Sequence, residues 1–455
     1  MIPLTLAEVA AACDGRLLAG GGDVVVDRVS TDSRTVMQGD LFIGLRGERF
    51  DGDRYAAAAL KAGAAAVVVR EQTAARLPKR AAKIVVDDGL VALGRLAGHV
   101  RGRAPARVVA ITGSAGKTST KDILAALLRP LAPIVATSGN FNNEVGVPLT
   151  LLEADAETRV VVTELAMRGR GQIAQLAKIA RPDVGVITNV APVHLELVGS
   201  VEDVATAKAE IIAELAQGAL VAPYDEPLLE RHVRRFRGRL VTFGGRDADV
   251  HVVDAERRGA RTHAVIDAFG RRAAFDFSFS GAHYLADALA ALGAFVALGY
   301  ALEEAKAGAR AIVFSKLRGE LSTLAGGGLL LNDAYNANPV SMVAALEHLV
   351  DVAEGRPALA VLGDMYELGP GAADYHCEVG AEVARAGVRL VAVGELAREY
   401  LSGAAGERWY VTVEECLSAL PDLFEPGSAV LVKASRALAL ERVAEAILER
   451  YGETD

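Results

Sequence analysis

The stretch Thr112–Thr118, Thr-Gly-Ser-Ala-Gly-Lys-Thr, lies between a β-branched run that begins at Val108 and a helical segment that ends at Leu128. In such a corner, glycines let backbone N–H groups approach phosphates, and the N-terminus of the helix favours an anion. Lys117 can then reach the β- and γ-phosphates of a nucleotide, and the Thr118 hydroxyl can ligate Mg²⁺. The stretch therefore predicts a phosphate loop that binds a nucleotide.

The pattern around this loop predicts an α/β fold. Short buried-strand candidates alternate with helical stretches, which indicates a parallel, doubly wound sheet. In the middle of the chain the strand candidates are Val108–Thr112, Arg159–Leu165, Val184–Thr188 and Ala219–Ala222, and the helical stretches include Gln172–Ala180 and Val201–Leu215. A second alternating series has strand candidates at Leu329–Asn332, Ala358–Leu362, Leu390–Val393 and Ala429–Val432.

The chain has 455 residues, which is too many for one hydrophobic core. The segment His99–Arg107 contains Arg, Gly and Pro and predicts a first linker, and the helix-rich stretch Ala282–Ala311 ends before a second boundary near residue 314. We therefore predict three domains: an N-terminal α/β domain over residues 1–103, a central phosphate-loop domain over 104–314, and a C-terminal α/β domain over 315–455.

Bulk composition excludes several classes of protein. The net charge of −9 and the pI of about 5.6 argue against a general nucleic-acid binder. The three cysteines are far apart in the sequence, so a disulfide framework is not expected and a reducing cytoplasm fits. No uninterrupted apolar stretch reaches the roughly 18 residues of a membrane span, and the N-terminus does not have the pattern of a signal peptide.

Four residues form a candidate catalytic and metal-binding set. Glu164 ends a strand candidate, where ligands gather in parallel sheets, and a carboxylate there suits Mg²⁺. His194 follows the next strand, and Lys208 lies on a helix 14 residues later. Each residue alone has an ordinary interpretation, as a helix cap, a structural histidine or a solvated lysine. Together with Lys117 they indicate phosphate chemistry.

The chain resembles the Mur ligase family on motifs that span nearly its whole length. The phosphate loop is similar to the family's TGxxGKT, and the match is most specific to the branch that adds D-alanyl-D-alanine. The matching stretches are TDSR at Thr31–Arg34, GDLF at Gly39–Phe42, GERFDG at Gly47–Gly52, GNFNNEVGVPLTLL at Gly139–Leu152, Arg181–Ile211, DAYNANP at Asp333–Pro339, LGDMYELG at Leu362–Gly369 with His376, and VKASR at Val432–Arg436.

The resemblance implies a function for each of the three domains. The first would bind a UDP-muramoyl tripeptide, the second ATP, and the third, Rossmann-like domain would close on ATP and bind D-alanyl-D-alanine. The tripeptide carboxylate would attack the γ-phosphate of ATP to give an acyl phosphate, which the dipeptide amine then attacks. The resemblance further implies a bacterial cytoplasmic enzyme that is a monomer.

The resemblance also implies site residues. Lys117, Glu164, His194 and Lys208 would be catalytic. Thr118 and Glu164 would hold one Mg²⁺ and His194 would help to hold a second, while Lys208 matches a lysine that many members carbamylate, which would make it a metal-binding carboxylate. ATP would contact Thr112, Gly113, Ser114, Ala115, Gly116, Lys117, Thr118, Ser119, Asn143, His283 and Asp333. The other substrates would contact Ser30, Thr31, Asp32, Ser33, Arg34, Asn336, Asn338, Lys433, Ser435 and Arg436.

Several positions depart from the family pattern. Leu165-Ala166 stands where Met-Gly is usual, and Ala434 replaces a glycine. Tyr284 and Asp287 occupy a segment that usually carries asparagines near the adenine. Glu320 stands where an arginine is common, which would reverse a charge near phosphate, although the adjacent Arg318 could substitute.

Two alternatives remain open from the residues. A sister ligase that adds a single amino acid, or a folate-polyglutamylating relative, shares the central domain; the DAYNANP and LGDMYELG stretches favour the dipeptide-adding branch instead. An ATPase that acts as a switch or scaffold without ligation would have the same phosphate loop. The N-terminal motifs argue against a switch, since a switch needs no sugar-nucleotide domain.

Overall fold

The computed structural model describes residues 1–47, 50–215, 217–404, 408–423, 425 and 427–452. Glu48 and Arg49, which belong to the GERFDG motif, lie outside the described residues, as do a few positions of the predicted C-terminal domain. Helices and strands alternate along the chain and form three main sheets. The predicted α/β fold is confirmed.

The first sheet is formed by N-terminal strands in the order β2-β7-β6-β5-β4, and β1 pairs separately with β3. β7, β6, β5 and β4 are parallel to one another, and β2 is antiparallel to β7. The elements are β1 Leu4–Thr5, α1 Leu6–Ala12, β2 Arg16–Leu18, β3 Val25–Val26, β4 Val29–Ser30, β5 Leu41–Ile43, α2 Ala56–Ala62, β6 Ala66–Val69, α3 Glu71–Ala74, β7 Lys83–Val85 and α4 Gly89–Arg103.

The second sheet carries the phosphate loop. Its elements are β8 Arg107–Thr112, α5 Lys117–Leu128, β9 Ile134–Ala136, α6 Gly146–Leu152, β10 Val160–Glu164, α7 Gln172–Ala180, β11 Val184–Ile187, α8 Leu195–Val198, α9 Val201–Ala209, β12 Ala219–Pro223, α10 Pro227–Val233, β13 Arg239–Gly244, β14 Val250–Arg258, β15 Arg261–Ala268, β16 Arg271–Phe277, α11 His283–Ala297 and α12 Lys306–Ala309. The strand order is β16-β15-β14-β13-β12-β11-β8-β10-β9.

The six strands β9, β10, β8, β11, β12 and β13 are parallel to their neighbours. The inner strands β10, β8, β11 and β12 are almost fully buried, as expected for strands covered by helices on both faces. The sequence pattern did not indicate the antiparallel extension formed by β14, β15 and β16. In these strands buried residues alternate with exposed ones over part of their length, because one face packs on α11 and α12 while the other faces water.

The third sheet has the order β17-β18-β22-β19-β20-β21, with only β17 antiparallel to its neighbour. The elements are β17 Glu320–Leu324, β18 Gly328–Asn332, α13 Pro339–Ala353, β19 Ala358–Gly363, α14 Ala372–Arg385, β20 Arg389–Val393, α15 Tyr400–Gly403, β21 Arg408–Tyr410, α16 Val413–Leu423, β22 Ala429–Lys433 and α17 Glu441–Tyr451. The predicted Rossmann-like alternation is confirmed.

The predicted first linker is longer than the connection in the structure. The residues from His99 to Arg103 continue helix α4, and Val100 is fully buried in the core. Arginine and glycine at the end of this helix masked its apolar face in the sequence. Only residues 104–106 separate α4 from β8. The exact domain boundaries stay a prediction.

No helix within the described residues has both the length and the apolar character that a bilayer crossing requires.

Two helical glycines offer a matched stability test. A Cβ added at Gly380 in α14 would lie 2.0 Å from the Tyr400 carbonyl oxygen, whereas at Gly98 in α4 the nearest heavy atom would be 4.0 Å away. We expect Gly380→Ala to destabilise the third domain by about 1–3 kcal/mol through overpacking. Gly98→Ala should be neutral or stabilise by up to about 1 kcal/mol. Thermal unfolding followed by circular dichroism checks both, and equal midpoints for the two variants would contradict the packing of α14.

Candidate active site

The phosphate loop has no space for side chains at two of its glycines. A Cβ at Gly113 would lie 1.8 Å from the Thr188 hydroxyl oxygen, and one at Gly116 would lie 2.1 Å from a carboxyl oxygen of Asp287. Gly116 also has a φ of 76° at the N-terminus of α5, a conformation that favours glycine. The loop therefore keeps its backbone close to the neighbouring segments and presents the start of α5 without obstruction.

The segment from Thr188 to Ala191, which follows β11, forms a set of hydrogen bonds with the phosphate loop that we call the brace. The Asn189 side chain accepts a hydrogen bond from the Ala115 N–H at 2.9 Å and donates one to the Ala115 carbonyl at 3.2 Å. Thr188 donates to the same carbonyl at 2.6 Å. The Ser114 hydroxyl donates to the Ala191 carbonyl at 3.0 Å and accepts from the Ala191 N–H at 2.9 Å. These paired contacts hold the loop in one conformation.

Lys117 lies at the start of α5, and its amino group remains within the loop. It donates to the carbonyls of Gly113 at 2.7 Å and Ser114 at 3.3 Å. Burial lowers the pKa of Lys117, while the nearby carboxylate of Glu164 raises it. Thr112, at the end of β8, is fully buried, and its carbonyl accepts from the N–H of Thr188 at 2.9 Å.

Glu164 lies at the carboxyl end of β10, beside the loop, and is only 1% exposed. One of its carboxylate oxygens accepts from the Thr118 hydroxyl at 2.8 Å, and the other accepts from the Asn142 side-chain amide at 2.9 Å. Its backbone N–H donates to the Thr137 hydroxyl at 3.1 Å. A buried carboxylate next to a hydroxyl provides the oxygen ligands that Mg²⁺ prefers.

Lys208 is a buried cation without a carboxylate partner. It lies on α9, is 2% exposed, and its amino group forms no hydrogen bond or ion pair with any residue that the structure describes. Burial lowers the pKa of Lys208 well below its ordinary value, and the charge of Lys117 lowers it further. The amine is therefore held in conditions that favour its neutral, nucleophilic form.

His194 lies between β11 and α8 with a φ of 54°. Its Nδ1 contacts a carboxylate oxygen of Glu367, which belongs to the third domain. Burial lowers the pKa of His194, the Glu367 carboxylate raises it, and the charges of Lys117 and Lys208 lower it. The structure thus brings the four predicted catalytic residues close enough together for their charges to interact.

Within the described parts of the chain, no three His, Cys, Asp or Glu side chains converge so as to hold a metal ion by themselves. The donor set therefore depends on groups of other kinds. Thr118 and Glu164 are already in contact, and an imidazole and an amine lie within electrostatic reach. The Thr118 hydroxyl and the Glu164 carboxylate fit Mg²⁺ with phosphate oxygens as further ligands, whereas a lysine amine is not a magnesium ligand.

The two residues predicted near adenine and ribose meet at the boundary of the second and third domains. Burial, assisted by the nearby His348, lowers the pKa of His283 to about 4. The Asp333 carboxylate raises this pKa, and the charge of Lys433 lowers it. Asp333 forms an ion pair with Lys433. The hydroxyl of Ser280 and Nε2 of His348 are 2.9 Å apart across the same boundary. Residues of both domains therefore line one region beside the loop helix.

The side chains of two predicted contact residues accept backbone hydrogen bonds where a helix begins. The Asn338 side chain accepts from the Ser341 N–H at 2.9 Å at the start of α13. The Asn143 side chain accepts from the Gly146 N–H at 3.0 Å just before α6. Each amide oxygen therefore has a structural partner, and each amide nitrogen is left to donate to a ligand.

The other predicted third-domain residues lie around the end of β22. The Lys433 amino group donates to the Asn336 carbonyl at 2.9 Å. The Ser435 hydroxyl accepts from the Tyr366 N–H at 2.9 Å, which ties the end of β22 to the loop after β19. Arg436 forms an ion pair with a glutamate of α17.

Ser119 is buried in the first turn of α5.

The predicted sugar-nucleotide segment, Ser30–Arg34, forms a compact turn in the first domain. The Ser30 hydroxyl donates to the Asp32 carbonyl at 2.9 Å. The side-chain hydrogen bonds from Arg34 lower the pKa of Asp32 to about 2. Thr31 and Ser33 lie in the same turn. None of the hydrogen bonds of these residues reaches the phosphate loop in the described structure.

Glu320 stands where an arginine is common in the family pattern, and the positive charge in this region comes from Arg318. Its charge lowers the pKa of Lys117 and favours the ionised form of Asp287, so it lies beside the phosphate loop. Its guanidinium lies 4.0 Å from the centre of the Tyr335 ring. Glu320 instead accepts from a backbone N–H three residues earlier at 3.0 Å. The carboxylate of Glu320 is therefore engaged by the backbone of a turn, and the glutamate does not reverse the charge near the phosphate loop.

The segment that leads to the third domain is hydrogen-bonded to α5, the helix that follows the phosphate loop. Asp122, in the second turn of α5, accepts from the Ser315 N–H at 2.8 Å and pairs with Lys121 at 2.7 Å. Lys121 is buried and also donates to the Thr137 carbonyl at 3.0 Å. Ser315 precedes Arg318 by three residues, so these contacts fix the segment that presents Arg318.

The site residues predicted from the sequence did not include Asn142, Asn189 or Glu367, and Arg318 was named only as a substitute for an arginine at position 320. Asn142 and Glu367 lie inside motifs that carried the resemblance, and Asn189 follows a buried strand, so each had a weak signal. No spacing indicated that Glu367 contacts His194, because the two residues are 173 positions apart.

Comparison with known sequences gives matches along most of the chain. The signature of the Mur ligase family catalytic domain matches residues 25–101, that of the Mur ligase middle domain residues 111–295, and that of the Mur ligase glutamate ligase domain residues 318–436. The chain is 35% identical to the UDP-N-acetylmuramoyl-tripeptide–D-alanyl-D-alanine ligase of Bacillus subtilis, over 99% of each chain.

Comparison with solved structures agrees. MurF from Acinetobacter baumannii superposes with a TM-score of 0.90 at 30% identity, over 98% of this chain and 99% of that one. MurF from Thermotoga maritima, solved in complex with ADP, gives a TM-score of 0.82 at 30% identity, over 93% and 97% of the two chains.

The brace of the loop makes a prediction about nucleotide affinity. Asn189→Ala would leave the N–H and carbonyl of Ala115 without their side-chain partner, so we expect ADP to bind about 10-fold more weakly. Isothermal titration with ADP measures this. Asn140→Ala, at an exposed asparagine, is the matched control and should bind ADP normally; equal affinity in both variants would show that the brace is dispensable.

Proposed function

This chain belongs to the Mur ligase family, and from that premise we propose that it joins D-alanyl-D-alanine to UDP-N-acetylmuramoyl-tripeptide at the expense of ATP. The observation that carries the proposal is the hydrogen-bonded Thr118–Glu164 pair at the end of β10, close enough to Lys117 for their charges to interact, with Arg318 and Lys208 also within electrostatic reach of Lys117. The ligase of Bacillus subtilis matches this chain over 99% of both sequences.

The first step joins two anions. An oxygen of the tripeptide carboxylate attacks the γ-phosphorus of ATP, the bond to the bridging oxygen breaks, and ADP leaves with its electron pair. The products are an acyl phosphate and ADP. Because both reactants are negative, the step needs fixed positive charge and backbone N–H groups. Lys117, Arg318 and the N-terminus of α5 supply these groups beside one another.

Mg²⁺ bound by Thr118 and Glu164 would supply further neutralisation of the phosphate charge. Lys208 does not fit a cation site as an amine, because its protonated form repels metal. Its neutral amine, favoured by burial, can add CO₂ and lose a proton to give a carbamate, which is a metal-binding carboxylate. We infer that Lys208 is carbamylated and that His194 contributes a nitrogen to the metal site.

The second step forms the amide. The free amine of D-alanyl-D-alanine attacks the acyl carbon and forms the C–N bond of a tetrahedral intermediate. The nitrogen loses a proton, the C=O bond re-forms, and the C–O bond to phosphate breaks, so that phosphate leaves with the electron pair. The residues proposed to hold ATP and the dipeptide in the third domain are Asp333, Asn336, Asn338, Lys433, Ser435 and Arg436. Their placement around the ends of β18 and β22 is where ligands bind in open parallel sheets.

The first domain, with the turn at Ser30–Arg34, is proposed to bind the UDP end of the other substrate. We keep the division at residues 1–103, 104–314 and 315–455 as the proposed domain limits. The enzyme is proposed to act as a monomer in the bacterial cytoplasm, where UDP-linked precursors and ATP are available.

Phosphate release tests the function directly. With ATP, Mg²⁺ and UDP-muramoyl tripeptide, offered with either lysine or diaminopimelate as third residue, we expect release that depends on D-alanyl-D-alanine and a pentapeptide product by mass spectrometry. Release supported by single amino acids would identify a sister ligase. Release without either amine, and without product, would identify a plain ATPase.

Lys117→Ala removes the cation of the phosphate loop. We expect phosphate release to fall by on the order of 10³-fold, because charge stabilisation by a single group in such sites has that magnitude. Lys178→Ala, at an exposed lysine of α7, should keep normal activity. Comparable activity in the two variants would contradict the proposed phosphate site.

Lys208→Ala removes the group that carbamylation would convert to a carboxylate. We expect a severe loss of ligation that added short carboxylates or bicarbonate partly restore, because a small anion can occupy the space left by the side chain. Lys117→Ala should show no such rescue. Full activity of Lys208→Ala without any addition would refute the metal assignment.

A further inference from the structure

His194 is the one proposed metal ligand whose side chain is in contact with the third domain. Its Nδ1 contacts a carboxylate oxygen of Glu367, from the loop between β19 and α14. Its Nε2 forms no hydrogen bond within the described residues. The imidazole therefore has one nitrogen engaged by a carboxylate and the other available.

The backbone supports the same contact. Glu367 has a φ of 63° and His194 a φ of 54°, so the backbone at each residue adopts the left-handed conformation of a tight turn. The Glu196 N–H donates to the Glu367 carbonyl at 3.5 Å. A Cβ at Gly369 would lie 3.3 Å from the Glu196 nitrogen, which shows how closely the two loops approach.

A carboxylate on one ring nitrogen has a known consequence for a metal-binding histidine. It fixes the tautomer with the proton on the engaged nitrogen, orients the ring, and makes the other nitrogen a stronger ligand. Here that arrangement is divided between domains. Thr118, Glu164, His194 and Lys208 all belong to the central domain, whereas the orienting carboxylate comes from the third.

We propose that Glu367 is a positioning residue that orients His194 for metal binding across the domain boundary, so that docking of the third domain and metal affinity are coupled. The inference rests on the proposed function, since it takes His194 as a metal ligand. Coupling of this kind is reciprocal: whatever docking adds to metal affinity, the metal adds to docking. The metal site would be complete only when the domain that binds the second substrate is in place.

Arg168 provides a matched control. Its guanidinium lies 3.8 Å from the other carboxylate oxygen of Glu367, and its side chain is 75% exposed. Arg168→Ala therefore removes a neighbour of the Glu367 carboxylate without touching His194. Glu367→Gln keeps an oxygen that can accept from Nδ1, whereas Glu367→Ala removes the acceptor altogether.

The test measures Mn²⁺ binding to the full-length protein in the presence of ADP, by electron paramagnetic resonance titration. Mn²⁺ suits the same oxygen-rich sites as Mg²⁺. We expect Glu367→Ala to weaken one class of Mn²⁺ sites by 10- to 100-fold. Glu367→Gln should recover most of that affinity, and Arg168→Ala should match the unmodified protein. His194→Ala should remove the same class, with no further loss when Glu367→Ala is added.

Three results would overturn the proposal: unchanged Mn²⁺ affinity in Glu367→Ala, a loss that adds to that of His194→Ala, or no effect of His194→Ala. The ligation assay separates these from failure of the proposed function. An enzyme that makes the pentapeptide while Glu367→Ala binds Mn²⁺ normally keeps its function and refutes the coupling. A protein that makes no pentapeptide but loses Mn²⁺ affinity in Glu367→Ala keeps the coupling and refutes the proposed function.

Discussion

The hydrogen bond between the Thr118 hydroxyl and the buried Glu164 carboxylate is the contact on which the rest of the site depends. It joins the first turn of α5 to the end of β10. The strands β10, β8 and β11 are adjacent and parallel, so their carboxyl ends meet at one edge. Every other proposed phosphate or metal group reaches that edge from a neighbouring loop or helix. An unpaired carboxylate at this depth would be costly, and the hydroxyl and the Asn142 amide remove that cost.

The same constraint explains how the third domain can take part. The chain leaves the central domain along a segment that is fastened to α5 through Asp122 and Ser315. Arg318 follows immediately and is held against the Tyr335 ring, within electrostatic reach of Lys117. A second contact between the domains joins Glu367 to His194. The third domain thus contacts the central domain at these two points and through Ser280 and His348.

The departures from the family pattern have physical explanations at two positions. Burial raises the pKa of Asp287 to about 8, although Arg318 favours the ionised form. A protonated carboxyl group can donate a hydrogen bond as an asparagine amide does, which makes aspartate tolerable there. The Tyr284 ring stacks on Phe314 with a centroid distance of 4.2 Å, and its hydroxyl donates to the Arg318 carbonyl at 3.2 Å. This tyrosine stabilises the segment that carries Arg318.

The sequence by itself determined the class of fold, the phosphate loop and the family, because these depend on local patterns. Buried strands are continuous apolar runs, and a phosphate loop needs its glycines, lysine and threonine at fixed spacing. It also named Glu164, His194 and Lys208, through their places after strands and inside recognisable motifs. Local pattern misjudged the end of α4 and did not indicate the antiparallel strands β14 to β16.

Only the tertiary structure decided which partner each group has. It placed Arg318, rather than Glu320, within electrostatic reach of Lys117, gave Asn338 a capping role, and left Lys208 buried without a counter-ion among the described residues. It also placed Glu367 against His194. These pairings join residues that are far apart in sequence, and burial and charge act through space. Their energies therefore depend on distances and solvent exclusion that no local pattern of residues contains.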